Sequence, residues 1–487
     1  MRLNITRKPN KIIPDIKRVI ARFFFNGDAR AKDVIGMVMS LTDAEVKEEI
    51  TFILREFAKR HRNISRIFER NCERLSYLFD ELEISLTEMD PVRKMLIGSY
   101  FTHEYSIESA AFFNPSIVDD PDQSDLQDGE KRVIISFRAV GEGHISSIVF
   151  RRATLDAQNN ISISTAGTLI EEANTIKNTV YKKDIFGNTA LLSQVKDEVV
   201  DKLEKNLAES FDYKTLKKAI ADLKLENIDD ITRYTLEKIL WLADSYHYVH
   251  FSLDTDISDR VIFPISEFEQ KGVEDARFVK FIDDDGSVHY YATYTAFDGI
   301  AIQPKLLHTD NFYDFRIMPL YGSGAKNKNL ALFPRKVNGN YVMISRIDGV
   351  NNFIMFSDKI NIWENPRQLQ SPKYPWEFTQ IGNCGCPIET DKGWLLITHG
   401  VGAMRRYCLG ASLFDLHDPT IEIGRLKEPL LMPNDNEREG YVPNVLYSCG
   451  SIIHNGELIV PYGLSDYGSS FMSVSLNELL EKIISER

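Results

Sequence analysis

Cysteine is scarce in this chain: five thiols are scattered through 487 residues, too few for a disulfide framework, so a reducing, cytoplasmic setting is expected. Long apolar runs are missing too. The best candidate, Ile20 to Phe25, is interrupted by Arg22 and closed by Asn26, far short of the roughly 20 residues that cross a bilayer. No membrane span is expected, and no secretory signal, because no apolar stretch leads to a small-residue cleavage site. Positive charge is in deficit. Lys plus Arg is 58 against 71 for Asp plus Glu, a net charge of −13, which repels a phosphate backbone and disfavours nucleic-acid binding. The one basic concentration, Arg2, Arg7, Lys8, Lys11, Lys17, Arg18 and Arg22, reads as a solvated terminal arm or helix. Metal-ligand spacing is also lacking. Cys384 and Cys386 are too tightly spaced for a zinc knuckle and have no second ligand pair, and the ten histidines contain no His-x-x-x-His. No metal and no cofactor are expected.

What is present is an ordinary globular composition, 43% hydrophobic and 26% charged, long enough for two or three units or one large repeat architecture with an appended piece. The first hundred residues read as helices. Thr42 and Glu45 form a capping box ahead of a helix over Glu45 to His61, a second helix spans Ile64 to Leu82, and Asp90 with Pro91 starts a third. From about Ser109 the period changes to strands: Arg132 to Phe137, Ser146 to Phe150 and Asn160 to Ser164. A helical insertion is expected over about 191–243, where Leu191, Val195, Val199, Leu203, Leu207, Leu236, Ile239 and Leu240 recur at helical spacing. Strands then continue from Phe278 to Tyr462, separated by turns such as Asn338-Gly339-Asn340 and His454-Asn455-Gly456, and a helix from Ser475 to Glu486 closes the chain. So many short antiparallel strands favour a propeller over a single sandwich.

Polar and ionisable groups cluster with strand-end glycine or proline at Asn114-Pro115, Phe137-Arg138-Ala139, Glu274-Asp275-x-Arg277, Lys328-Asn329 with Phe333-Pro334 and Arg346, and Pro387 to Thr390 with Gly393-Trp394 and His399. Adjacent carboxylates beside an arginine suit acid catalysis, because a neighbouring negative charge raises one pKa while the guanidinium keeps the other group ionised. With Asp466 and the ring of Trp394 they make a candidate sugar site. Taken alone, each pair is more often a solvated ion pair.

As an ordered set, from Asn114 to Asp466, these motifs resemble glycoside hydrolase family 130, the mannoside phosphorylases and β-mannosidases, over roughly Ser109 to Leu479. The resemblance implies a mainly β fold: a five-bladed β-propeller over 106–487, carrying the insertion, behind an N-terminal helical region over 1–105. It implies inverting cleavage of a β-mannoside in the central funnel, with Asp275 as the acid acting through a sugar hydroxyl. Asn114, Arg138 and Asp466 would hold the mannose, with Glu274, Arg277, Trp394 and His399 beside it. Ala276 replaces the usual proline.

The phosphate-binding pattern departs further. Lys328 with Asn329 and Arg346 remain as candidate ligands for inorganic phosphate, the co-substrate of a phosphorylase, but Glu389 stands where the family has lysine. At about 5 Å and an effective dielectric near 20 each charge pair is worth roughly 3 kcal/mol, so that exchange would oppose phosphate. The expectation is therefore hydrolysis, with Glu389, supported by His399, activating water; Glu437 and Glu439 are reserve bases. Phosphorolysis releasing mannose 1-phosphate is the alternative, and a non-catalytic sugar-binding propeller the second. The expected partner is an oligosaccharide, with a homo-oligomer through the helical regions a further possibility.

Overall fold

The computed structural model describes residues 3–176, 181–182, 201–203, 205–224, 228–230, 232–233, 236, 239–240, 243, 245–266, 269–297 and 302–486. The fold is mainly β, built from antiparallel meanders in chain order. Ala111–Asp119, Lys131–Val140, Ser146–Leu155 and Ile161–Ile163 pair successively. Gly272–Ile282, Val288–Phe297, Ile302–Thr309 and Asp314–Pro319 form the next set, joined to the first by a parallel contact of Gly272 with Ser146. Ala331–Leu332, Tyr341–Ser345, Asn352–Ser357 and Arg367–Gln370 follow. Then Gln380–Asn383 and Ile388–Thr390 both pair with Gly393–Val401, which continues to Tyr407–Phe414 and Glu422–Arg425. Finally Leu446–Tyr447 and Ile452–His454 pair with Glu457–Leu464, which pairs with Gly468–Ser475.

Inner strands are covered on both faces. Gly393–Val401 is buried at every position, which is why it reads as a continuous apolar run rather than an alternation. The turn at Asn338-Gly339 takes positive φ at both residues, 52° and 76°, the geometry that matches the twist of a two-residue hairpin.

The basic N-terminal segment is not a solvated arm or helix. Ile5–Ile12 is a strand that pairs antiparallel with Gly468–Ser475 and so joins the last meander. Its lysines and Pro9 suit an edge strand, where charge discourages further pairing. Arg7 reaches Glu437 through Nε at 3.0 Å. Arg18, also expected in solvent, is buried and bonded to Glu108 at 2.7 Å, and Arg151 donates to the same carboxylate. A second early strand, Val19–Phe23, pairs with Thr102–Ser106.

Between these two strands lie the helices, Asp28–Ser40, Asp43–Phe57, Ile64–Glu73, Ser76–Glu81 and Pro91–Tyr100, packed around their own core of Ile35, Ile50, Phe68, Leu78, Phe79 and Leu96. The capping box is formed: Glu45 N donates to Thr42 Oγ1 and Thr42 N to Glu45 Oε2. The expected second helix is broken at Arg74 and Leu75 into two. Of the insertion, Leu191, Val195 and Val199 lie outside the described residues. Leu203, Leu207, Leu236 and Ile239 gather around the helix Tyr213–Lys224. Among the described residues no helix is long and apolar enough to cross a membrane.

Candidate functional site

Two β-bulges aim the central pair of side chains. The register slips between Phe113 and Ser116, leaving Asn114 at φ 51°, and between Glu274 and Arg277, leaving Asp275 at φ 56°. Short polar side chains tolerate this left-handed backbone better than most, and a bulge redirects the side chain it carries. The result is a direct contact: Asn114 Nδ2 donates to Asp275 Oδ1 at 2.6 Å. Gly463 leaves room for this bulge, since a Cβ there would come within 3.1 Å of the Asn114 backbone nitrogen.

Charge is concentrated around this pair. Arg138 Nη2 donates to Glu274 Oε1 at 2.6 Å and Lys328 Nζ to Glu274 Oε2 at 2.7 Å, so Glu274 is clamped between two cations. Arg138 also lies 3.9 Å from Asp275, whose side chain is 11% exposed. Burial works to raise the pKa of Asp275, but Arg138, Lys328, Arg277 and the Asn114 hydrogen bond outweigh it and hold the carboxyl below its usual range. Asp466, also at positive φ, behaves oppositely. Burial, aided by Asp275 and opposed by Arg138, pushes it up to about 6. Two neighbouring carboxyls thus differ in proton affinity, the pattern that divides acid from base.

A second network extends from there. Tyr447 Oη accepts from Arg277 Nη2 at 2.7 Å and from Asn329 Nδ2 at 3.0 Å. Asn329 also donates to the Asn383 carbonyl at 3.0 Å. That carbonyl lies 3.2 Å from His399 Nδ1, and His399 Nε2 lies 3.2 Å from Arg346 Nη1. Burial, then Arg346 and Arg277, hold the His399 pKa well below its usual value, so the ring is neutral: Nδ1–H donates to Asn383 and Nε2 accepts from Arg346. Arg277 Nη1 and Arg346 Nε are buried without a protein partner. Tyr447 and Asn383, which hold this network together, carry no motif that marks them in the sequence.

The structure therefore brings together Asn114, Arg138, Glu274, Asp275, Arg277, Lys328, Asn329, Arg346 and Asp466. His399 is fully buried and reaches the site through Arg346, not as a direct sugar ligand. Trp394 is no stacking platform: it is 0% exposed, packs edge-on against Phe333 at 5.0 Å, and donates to the Leu416 carbonyl. Glu437 is tied to Arg7 and to Tyr462 Oη at 2.8 Å, and Glu439 is exposed, so neither reserve base is placed as expected. The thiols of Cys384 and Cys386 are pushed up to about 12 by burial, leaving them inert.

Glu389 is misplaced most. It pairs with Trp394 on the strand Gly393–Val401, where Asn383 pairs with Thr398, four positions and about 13 Å away along the strand direction. There Arg335 holds both its oxygens at 2.7 Å. It lines a cavity of about 500 Å³ with Val118, Lys280, Pro387 and Ile452, at the opposite end of the inner strands from Asp275. At that distance in water its effect on an anion falls to about 0.3 kcal/mol, from the several expected of a contact.

The profile of glycoside hydrolase family 130, described as beta-1,4-mannooligosaccharide phosphorylase, matches residues 231–485, more than half of the chain. The chain belongs to glycoside hydrolase family 130. Its family range includes Glu274, Asp275, Lys328, Arg346 and Asp466, while Asn114 and Arg138 precede it. A 1,2-β-oligomannan phosphorylase of Thermoanaerobacter sp. (strain X514) is 39% identical over 207 residues, 41% of this chain and 67% of that protein. A β-1,2-mannobiose phosphorylase of Listeria innocua serovar 6a is 28% identical over 285 residues, 56% of this chain and 76% of that protein. The solved structure of a β-1,2-mannobiose phosphorylase from Listeria innocua aligns with a TM-score of 0.45 at 20% identity, over 78% of this chain and 94% of that one. This family-130 member is thus an enzyme of glycoside cleavage, and hydrolysis through Glu389 is overturned: these relatives are phosphorylases, and the intended base is remote from the acid.

Proposed function

We propose that this enzyme is an inverting β-mannoside phosphorylase that transfers a mannosyl residue from an oligosaccharide to inorganic phosphate, releasing α-mannose 1-phosphate. The observation that carries this reading is Arg346, a half-buried guanidinium whose side-chain partner among the described residues is a neutral imidazole. A cation so placed has lost hydration without gaining a counter-charge, and an anion at about 4 Å restores roughly 4 kcal/mol at an effective dielectric of 20. Arg277 joins the same network, and Lys328 and Asn329 complete a basic, donor-rich wall. A dianion fits it, whereas a carboxylate held there would be kept ionised and lose its strength as a base.

In this scheme Asn114, Arg138 and Asp466 hold the mannose, and Asp275 supplies the proton to the departing glycosidic oxygen through a mannose hydroxyl. The resting site keeps Asp275 ionised because three cations face it. Phosphate bound against Lys328, Arg277 and Arg346 cancels part of that field and raises the proton affinity of Asp275. The nucleophile thereby readies the acid. Residues 106–487, together with the early strand Ile5–Ile12, form the catalytic unit as a five-bladed propeller. Supporting this is the grouping of strands into meanders whose leading strands carry Asn114, Asp275, Asn329, Asn383 and Tyr447 at or beside one end.

Relatives bearing β-1,2-mannoside names make β-1,2-mannobiose the first substrate to try, with β-1,4-mannobiose as comparison. Products are followed by phosphorus NMR and sugar chromatography with and without phosphate. Mannose 1-phosphate strictly dependent on phosphate is expected; free mannose released at the same rate without phosphate refutes the proposal.

A further inference from the structure

The strands Val288–Phe297 and Ile302–Thr309 set Tyr291 opposite His308 and Tyr290 opposite Thr309. Continuing that register by one residue puts His289 across from Asp310. His308, two positions before Asp310, projects to the same face. The three side chains converge. His289 Nδ1 lies 2.7 Å and His308 Nε2 3.1 Å from Asp310 Oδ1, and the two ring nitrogens are 3.3 Å apart. We propose that His289, His308 and Asp310 bind one zinc ion through His289 Nδ1, His308 Nε2 and an Asp310 carboxylate oxygen, leaving one position for water.

The spacing is the first argument. Zinc with nitrogen ligands at about 2.05 Å in tetrahedral geometry requires an edge of about 3.3 Å between them, which is the separation the rings already have. The carboxylate needs to move away from His289 by about 0.6 Å, and Asp310 has room to do so, its side chain being 59% exposed. Preorganisation is the second. The His308 ring stacks on Tyr291 at 4.7 Å with 26° between planes, and His289 Nε2 is held by Ser287 Oγ at 3.0 Å, the outer contact that fixes a ligating imidazole. An imidazole pair with one carboxylate suits zinc better than magnesium or calcium, which prefer oxygen. Helical ligand spacing does not reveal this site because cross-strand register, not i and i+4 repetition, assembles it.

The ion would clip the hairpin at the end of the sheet remote from Asp275: His289 pairs with Phe281, six residues along its strand from Asp275. It takes no part in phosphorolysis. The test uses the full chain stripped with a chelator and titrated with zinc chloride alone. One equivalent is expected to bind with Kd of micromolar or tighter, and to raise Tm by several degrees at saturation. His289→Asn and Asp310→Asn should weaken that binding at least tenfold, with phosphorolysis within about twofold of the unaltered chain. Because His308 is largely enclosed, Asp310→Asn, at an exposed position, is the decisive variant if His308→Gln folds poorly. Cobalt(II) in place of zinc should give the intense visible absorption of a four-coordinate site. No zinc-dependent heat or Tm shift, or equal binding by Asp310→Asn and His289→Asn, makes the cluster a hydrogen-bonded corner and overturns the proposal.

Discussion

The inner strands have two ends, and the same residue types behave differently at each. At one end Asp275 meets Asn114 at 2.6 Å among Arg138, Lys328 and Arg277, largely out of water. At the other Glu389 is gripped by Arg335 with its side chain 41% exposed. Both are carboxylates beside arginine. The first is positioned by a bulge in a crowded, low-dielectric site with more cations than its own charge satisfies. The second forms a closed, hydrated pair. Exposed ion pairs of the second kind contribute between nothing and about 1 kcal/mol, so chemistry belongs to the first end.

Several substitutions break or sharpen this contrast. Asp275→Asn should lower kcat for mannose 1-phosphate formation by about 10³-fold while the chain still folds, the scale of losing a general acid. Trp394→Ala, in the sheet beside Glu389, should cost about 3–5 kcal/mol in denaturant unfolding with little change in KM for either substrate among folded molecules, marking the ring as core. Arg346→Ala should raise KM for phosphate about 10–100-fold, the equivalent of a charge-assisted hydrogen bond, and leave KM for the mannoside nearly unchanged in steady-state assays.

Asp466→Asn probes the catalytic end through pH. The folded carboxyl titrates near 6 against an ordinary 3.8, so the folded chain keeps a proton that the unfolded chain releases. Stability is therefore lost as pH rises from about 3.8 to 6 and stays lost above, by about 3 kcal/mol at full extent. The variant should gain stability at pH 7.5 and much less at pH 4, as read by Tm at both, while losing mannoside affinity. The smallest effect is expected from Glu389→Gln: less than about 1 kcal/mol in stability and less than twofold in phosphate KM. A large rise or fall in phosphate KM would mean that the two ends communicate.

Local chemistry was legible and long-range placement was not. Thr42 with Glu45, and Asn338 with Gly339, act on their own neighbours, and the structure has them as expected. Glu274, Asp275 and Arg277 were recognisable because they stand together on one strand as a contiguous motif. Glu389 failed for a geometric reason: it follows Asn383 closely in sequence, yet the chain carries it four strand positions on, to the far end of Gly393–Val401. Trp394 failed because a strand covered on both faces hides its aromatic rings. The basic run near Arg7 misled because edge strands use charge, and nothing near it in the chain names a partner some 460 positions away. Tyr447 and Asn383 serve the site by touching residues from other meanders, which no short motif records.

That distant pairing has a consequence for biosynthesis. Ile5–Ile12 leaves the ribosome early but obtains its backbone partners only when Gly468–Ser475 emerges, a delay of roughly 20–90 s at ordinary translation speeds. The helices between can fold meanwhile, tethered to a strand with nothing to pair with. The terminal sheet therefore closes only after the whole stretch between its two strands has been made, and a message stopped short of Gly468 yields an unclasped product that quality-control proteases can recognise.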